Sequence, residues 1–218
     1  MKFIKVLLIF MMLFSFTGCK KVVEDIPPLS CGENQIEEDG KCVIVNQDLE
    51  DITQALNATK ELTNYQIDVL VEYSKNTIEY SYEMILKFDE NISYFEIDNE
   101  QIFYEQVSNS VNQYTKQGDS YVIKSVDQVD GYGFYQELEP SWFTKIDEEF
   151  LLGGQYLSSV TALIQADFPD GNINNFKVKL GSENLEYFMF DMILGEETYN
   201  LKFTFSLFDQ VVLVLPTV

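Results

Sequence analysis

The sequence predicts an α+β domain built mainly of antiparallel strands, and three features point to it. Residues 65–74 and 78–88 alternate apolar and polar side chains on either side of a Lys75-Asn76 turn, the pattern of a half-buried hairpin. Alternating segments recur after turn signals at residues 89–91, 99–100 and 118–119, and again beyond the Pro169-Asp170-Gly171-Asn172 break. Before and between these strands, apolar residues repeat at the helical period. The order is helix, strand meander, helices, strand meander, and strands segregated from helices indicate α+β.

Residues 46–62 read as an amphipathic helix. Leu49, Ile52, Leu56 and Leu62 share a stripe with Thr59, and Asn46 or Asp48 caps the start. In the first strand Tyr65, Ile67, Val69, Val71 and Tyr73 point one way; Gln66, Asp68, Glu72 and Ser74 point the other, with Leu70 the exception. Ile78, Tyr80, Tyr82, Met84, Leu86 and Phe88 continue on one face. A slip of one residue would move every aromatic into water, so the register is well specified. Residues 92–98 and 101–107 are the next strands, and Tyr94-Phe95 breaks their alternation, as a bulge or as a strand apolar on both faces. Residues 109–115 give a weaker signal and 121–126 a short strand. Residues 127–140, with Asp130-Gly131, Gly133 and Pro140, are the least ordered.

A helix is expected over 141–152, with Trp142, Phe143, Ile146 and Phe150 apolar, interrupted at Gly153-Gly154. A second follows over 155–168, carrying Leu157, Val160, Leu163 and Ile164. Strands return at 176–180, 185–194 and 199–207. The segment 185–194 is almost continuously apolar, as for burial on both faces. Residues 211–215 read as a short closing strand stopped by Pro216.

The amino terminus has a different character. Lys2 and Lys5 precede an apolar run over 6–14, and Thr17-Gly18-Cys19 follow. A spanning helix needs about 20 apolar residues, so this run suits a secretion signal. Its end resembles the lipobox of bacterial lipoproteins, with Phe16 where that pattern prefers a smaller apolar residue. The resemblance implies cleavage before Cys19 and a diacylglyceryl group on its sulfur; an ordinary signal with a chance cysteine is the alternative. Residues 1–18 are then a lipoprotein signal peptide, 19–45 a lipidated tether with a small disulfide loop, and 46–218 the folded domain. Two acyl chains, at about 0.8 kcal/mol per buried methylene, hold a protein on a membrane. The tether carries Pro27-Pro28, and Cys31 and Cys42 remain as an even pair around an Asp39-Gly40 turn. A disulfide closing a loop of this size contributes about 3 kcal/mol; two free thiols are the alternative.

Composition removes several functions. The chain has 36 acids against 14 bases, a net charge of −22. With Lys2 and Lys5 lost alongside the leader, 36 acids face 12 lysines, a balance of −24. That disfavours nucleic acid and offers no basic patch to anionic headgroups. There is no histidine and no arginine. Serine–histidine and cysteine–histidine catalysis, histidine-ligated zinc and bidentate arginine clamps are therefore absent from this chain. Asp170-Gly-Asn-Ile-Asn-Asn starts like a calcium loop, but Asn175 stands where that loop needs Gly and Gly181 where it needs Glu. It reads as a turn. No cofactor is indicated, and the expectation is a binding protein, not an enzyme.

The leading helix 48–62, the hairpin 65–88, the helices around 142–168 and the terminal strands ending at Leu215-Pro216 resemble, on a lipobox, the LolA/LppX-like group of exported lipoproteins and lipoprotein carriers. The resemblance covers about residues 48–216. It implies a strongly curved antiparallel sheet, an unclosed half-barrel, with helices packed on the concave face and an apolar cavity for acyl chains between them. Two departures stand out: the soluble carriers use a buried arginine that this chain lacks, and they carry no lipid anchor. On this reading Tyr80, Tyr82, Met84, Leu86, Phe88, Tyr199, Phe203 and Phe205 line the ligand site, since bulky aromatics with Met make an adaptable apolar wall. The expected function is a membrane-anchored extracytoplasmic lipoprotein that binds a lipid or another apolar ligand. The alternative is a structural or adhesive surface lipoprotein whose core is filled.

Overall fold

The computed structural model describes residues 35–38, 41–44, 46–75, 78–126, 133–165 and 170–217. The leader, Cys19, the Pro27-Pro28 tether and Cys31 lie outside the described residues. The chain divides into two compact units, Met1–Val45 and Asn46–Val218. In the first, β1 (Gln35–Glu38) and β2 (Lys41–Ile44) form an antiparallel pair with Glu37 opposite Cys42. Cys42 is half-buried.

The second unit begins with α1, Gln47–Lys60. The Asn46 side-chain oxygen accepts from the Leu49 amide at 3.3 Å, and Asp48 and Glu50 sit in the first turn, where the helix dipole favours negative charge. Ile52, Ala55, Leu56 and Thr59 are buried. Leu49, expected on the same stripe, is 41% exposed.

Six strands then run outward as a meander of hairpins: β3 (Asn64–Lys75), β4 (Ile78–Asp89), β5 (Ile92–Ile97), β6 (Glu100–Val107), β7 (Ser110–Gln117) and β8 (Ser120–Val126). Their tight loops use residues that tolerate a left-handed backbone, such as Asp98 and Asn99 at φ 49° and 68° and Gly118 at φ 64°. The Tyr94-Phe95 question resolves as a strand apolar on both faces. The β4–β5 and β5–β6 registers run without a shift, with Phe95 opposite Leu86 and Tyr94 opposite Lys87.

The chain next crosses to the other side of the sheet. Here the structure corrects the helix expected over 141–152. A 3-10 turn at Pro140–Trp142 leads into β9 (Phe143–Ile146) and β10 (Glu149–Leu152), joined through Asp147 at φ 56°. Four apolar residues over nine positions suit a helix or a short hairpin, and β11 supplies β10 with backbone partners. After a 3-10 turn at Gly154–Tyr156, α2 covers Leu157–Ile164, and residues 166–168 of the expected helix lie outside the described residues. The remaining strands, β11 (Asn172–Leu180), β12 (Leu185–Leu194) and β13 (Glu197–Ser206), return to the middle, where β13 pairs with β3.

The result is one open eleven-stranded antiparallel sheet in the order β8-β7-β6-β5-β4-β3-β13-β12-β11-β10-β9. The α+β class is as expected. The closing strand at 211–215 is corrected: no strand forms there. Asn64 and Asp89 supply side-chain partners instead, with Asn64 Nδ2 donating to the Val211 carbonyl at 2.8 Å and Leu213 N donating to Asp89 Oδ2 at 3.0 Å.

The helices cover one face. Across its middle run Val178, Phe188, Phe203, Val69 and Met84 in mutual register, followed by Phe205, Ile67, Leu86 and Phe95. Above them sits a 3-10 helix at Gly133–Glu137, in the segment expected to be least ordered. Its Phe134 and Tyr135 and the following Leu138 are buried. Lys60 of α1 donates to the Leu138 carbonyl at 2.9 Å and fastens this plug to the helix.

Candidate functional site

The eight residues expected to line a ligand site separate into two groups. Met84, Leu86, Phe203 and Phe205 lie under the helical cover, none more than 6% exposed. Phe203 stacks on Phe188 at 4.5 Å between ring centres, and Phe134 meets Phe188, Phe190 and Phe203 edge-on at 5.1, 5.8 and 6.1 Å. These are ordinary packing separations for aromatic rings. Phe88 is half-buried and stacks on Tyr65 at 4.7 Å. The Tyr65 hydroxyl is paired with that of Tyr135 at 2.6 Å, and its burial pushes the phenol up.

The other group gathers at one end of the same face. Tyr80 is exposed, and Tyr82 and Tyr199 are half-buried. Cross-strand register brings in Tyr73, which the face pattern had included but the site list had not. Tyr73 lies between Tyr80 on β4 and Tyr199 on β13, at ring distances of 4.4 and 5.1 Å. Tyr82 follows Tyr80 at 6.4 Å. At this end of the sheet a surface depression of about 500 Å³ lies mainly on the opposite face, lined by Glu72, Ser74, Ser81, Thr198 and Asn200 among others.

An ion pair lies at this end. Lys75 bridges to Glu197 at 2.8 Å, and Tyr199 donates its hydroxyl to the other oxygen of Glu197, also at 2.8 Å. Lys75 and Tyr199 together hold the Glu197 carboxyl below its usual range, and Glu197 in turn keeps the Lys75 ammonium protonated to higher pH. Desolvation first, then Tyr80 and Asp98, push the Tyr82 phenol up. The tyrosines carry a polar hydroxyl on an apolar body, suited to a boundary between water and hydrocarbon.

A larger groove, about 730 Å³, opens on the other face. It lies where β11 bulges between Asn174 and Lys177, with Asn175 at φ 52°; the calcium-like stretch forms a turn and the start of this strand. Asp191 accepts from Asn175 at 2.6 Å and from Asn200 at 2.8 Å. Glu149 accepts from Lys177 at 2.8 Å and from the Tyr187 hydroxyl. Those two donors hold the Glu149 carboxyl below its ordinary 4.5. A depressed carboxyl contributes stability that is complete above the unfolded value and is lost as pH falls through the folded one. The stability difference between wild type and Glu149→Gln will therefore be full near about pH 7 and shrink below about pH 4.5. Urea midpoints across that range measure it. An equal difference at all pH values would show that the carboxylate is not what Glu149 contributes.

Among the described residues no group of three or more acidic or cysteine side chains is placed to hold a metal, and no helix is long and apolar enough to cross a membrane.

No family model matches the chain, and no curated protein matches it. Among the solved structures similar to it are these three. LprF from Mycobacterium bovis shares 13% identity over 78% of this chain and 96% of its own, at a TM-score of 0.43. The lipoprotein LppX from Mycobacterium tuberculosis shares 17% over 78% and 98%, at 0.36. A LolA superfamily protein from Nitrosomonas europaea shares 11% over 80% and 96%, at 0.37. The group that the order of elements resembles is named in two of these three, LppX and the LolA superfamily protein.

Proposed function

We propose that this chain is a membrane-anchored extracytoplasmic lipoprotein, acylated on Cys19 and stapled by a Cys31–Cys42 disulfide. Its domain binds a lipid or another apolar ligand on the helix-covered face of the sheet. The observation that carries this reading is the half-buried tyrosine group Tyr73, Tyr82 and Tyr199, with Tyr80 exposed beside it. It borders an apolar face that continues without interruption into Met84, Leu86, Phe203 and Phe205. A hydrocarbon chain laid on the tyrosine end of that face, which the helices leave open, gains about 25 cal/mol for each Å² removed from water, while the phenol hydroxyls meet its polar head. The partners are then the membrane, through the anchor, and the apolar ligand; an exterior at −24 speaks against nucleic acid. The role is binding, not catalysis.

The test is mass spectrometry of organic-solvent extracts from purified residues 20–218. A stoichiometric lipid is expected, lost in Tyr82→Asp and Tyr199→Asp while the circular dichroism is unchanged. Absence of lipid, together with no uptake of a fluorescent fatty acid, would overturn the reading. It would favour a surface lipoprotein with a structural or adhesive role. That second reading draws on the ring packing around Phe134, which leaves the centre of the face filled.

A further inference from the structure

We infer that two copies of this chain associate through β8, joining their sheets edge to edge about a twofold axis at Ile123.

Both ends of the sheet order are edges, and they differ. β9 has four residues, and its Lys145 is bound to Asp48 at 2.8 Å. A four-residue edge whose lysine is tied back to the helix is a guarded one. β8 has seven residues, reading Ser-Tyr-Val-Ile-Lys-Ser-Val, with no proline and no register shift against β7. Among the described residues it has a strand on one side only. Val122 and Ile123 point to opposite faces and are each 44% exposed. A strand apolar on both faces and open on both is built to be covered from its side.

The hairpin fixes which backbone groups are free. Gln117 pairs with Ser120 across the two-residue loop Gly118-Asp119, so Ser120 N–H bonds back to Gln117. Hydrogen bonding alternates along an antiparallel strand. Ser120, Val122, Lys124 and Val126 are therefore satisfied by β7, while Tyr121, Ile123 and Ser125 direct N–H and C=O outward. A second β8, antiparallel and centred on Ile123, sets Ile123 against Ile123 and Tyr121 against Ser125. That register pairs every outward group.

The side chains favour the same centre. Cross-strand partners on the uncovered face form the row Tyr94, Phe103, Tyr114, Ile123. It runs apolar to the free edge and stops. The twofold continues it through Ile123 into the row of the second copy, and such facing pairs are the unit of sheet stabilisation. Charge permits the approach: from residue 106 to 126 the chain has one acid, Asp119, against Lys116 and Lys124, in a protein otherwise crowded with carboxylates. Elsewhere, two copies at −22 repel.

The test is cysteine cross-linking of the full chain in membranes, with products mapped to their peptides so that native cysteines are not counted. Residues facing each other as a hydrogen-bonded pair have Cα atoms about 5.5 Å apart, within disulfide reach. Ile123→Cys is expected to give a 123–123 dimer about tenfold above Val214→Cys, an exposed position that reports chance collision. Ser125→Cys is expected near that background, because the two Ser125 residues lie about 14 Å apart in this register. Ile123→Pro removes an outward N–H and leaves the β7 pairing whole; in native gels the wild-type dimer band should become monomer. A monomeric wild type, cross-linking at 123 no greater than at 214, or cross-linking at 125 equal to that at 123 would each overturn the inference.

Discussion

Phe203→Ala will lower the stability of the domain by about 3–5 kcal/mol, the largest effect expected of any single truncation described above. Phe203 is fully buried, stacked on Phe188 at 4.5 Å and Phe190 at 5.9 Å, and capped by Phe134 at 6.1 Å. Its β-strand neighbours Phe188 and Val69 are held by the ladder and cannot collapse into the space left behind. The loss therefore combines the transfer energy of the ring with a cavity. For a domain of this size each kcal/mol shifts the melting temperature by about 2–4 °C, so a fall of about 10 °C is expected. Thermal unfolding of residues 20–218 measures it. Tyr80→Ala, at a site 52% exposed, is the comparison and should cost less than about 1 kcal/mol. Similar small shifts for both would mean that the middle of the covered face is not the packed centre described.

Thr59→Val will cost about 1–3 kcal/mol although it preserves shape. Thr59 is the buried polar residue of α1, 1% exposed. Its hydroxyl donates to the Ala55 carbonyl at 2.7 Å and accepts from the Leu185 amide at 2.8 Å. One oxygen thus joins the last turn of the helix to the first residue of β12. Valine fills the same volume but leaves the Leu185 N–H buried without an acceptor. The midpoint in urea should fall with its slope unchanged, and hydrogen exchange at Leu185 should quicken. Thr59→Ser should recover most of the loss. Indifference to valine would show that water reaches Leu185.

The same residues show how far the sequence could be read. The β3–β4 hairpin was legible because alternation persists for a dozen residues on each strand and its two patterns agree in one register. Helix α1 was legible from Asn46 and the Ile52, Leu56, Thr59 stripe. Residues 141–152 were not. Their apolar spacing fits a helix, and only the vacant side of β11, formed by residues far along the chain, decides for a strand pair. The tail at 211–215 had a strand's composition, but its partners are the Asn64 and Asp89 side chains, which alternation cannot reveal. The covering plug was the plainest omission. Phe134, Tyr135 and Leu138 do have helical spacing, yet they stand amid glycines and acids that signal a loop. The candidate site divided for a related reason. Its residues share a face by parity, whereas their burial depends on how far that plug extends along it.

The pairing of β3 with β13 has a consequence for how the domain is made. Each wing is a run of neighbours in sequence and forms by quick local closure. Their junction sets Gln66 against Ser206, partners 140 positions apart, and such distant pairing is slow. A chain emerging from its amino end presents β3 first and β13 last among the strands of the eleven-stranded sheet. Throughout that interval the β3 flank that β13 will occupy is an open edge, with Ile67, Val69 and Val71 waiting for Phe205, Phe203 and Leu201. The nascent domain is therefore most prone to aggregate at the line that later becomes its centre, and a chain cut short before residue 197 keeps that line open.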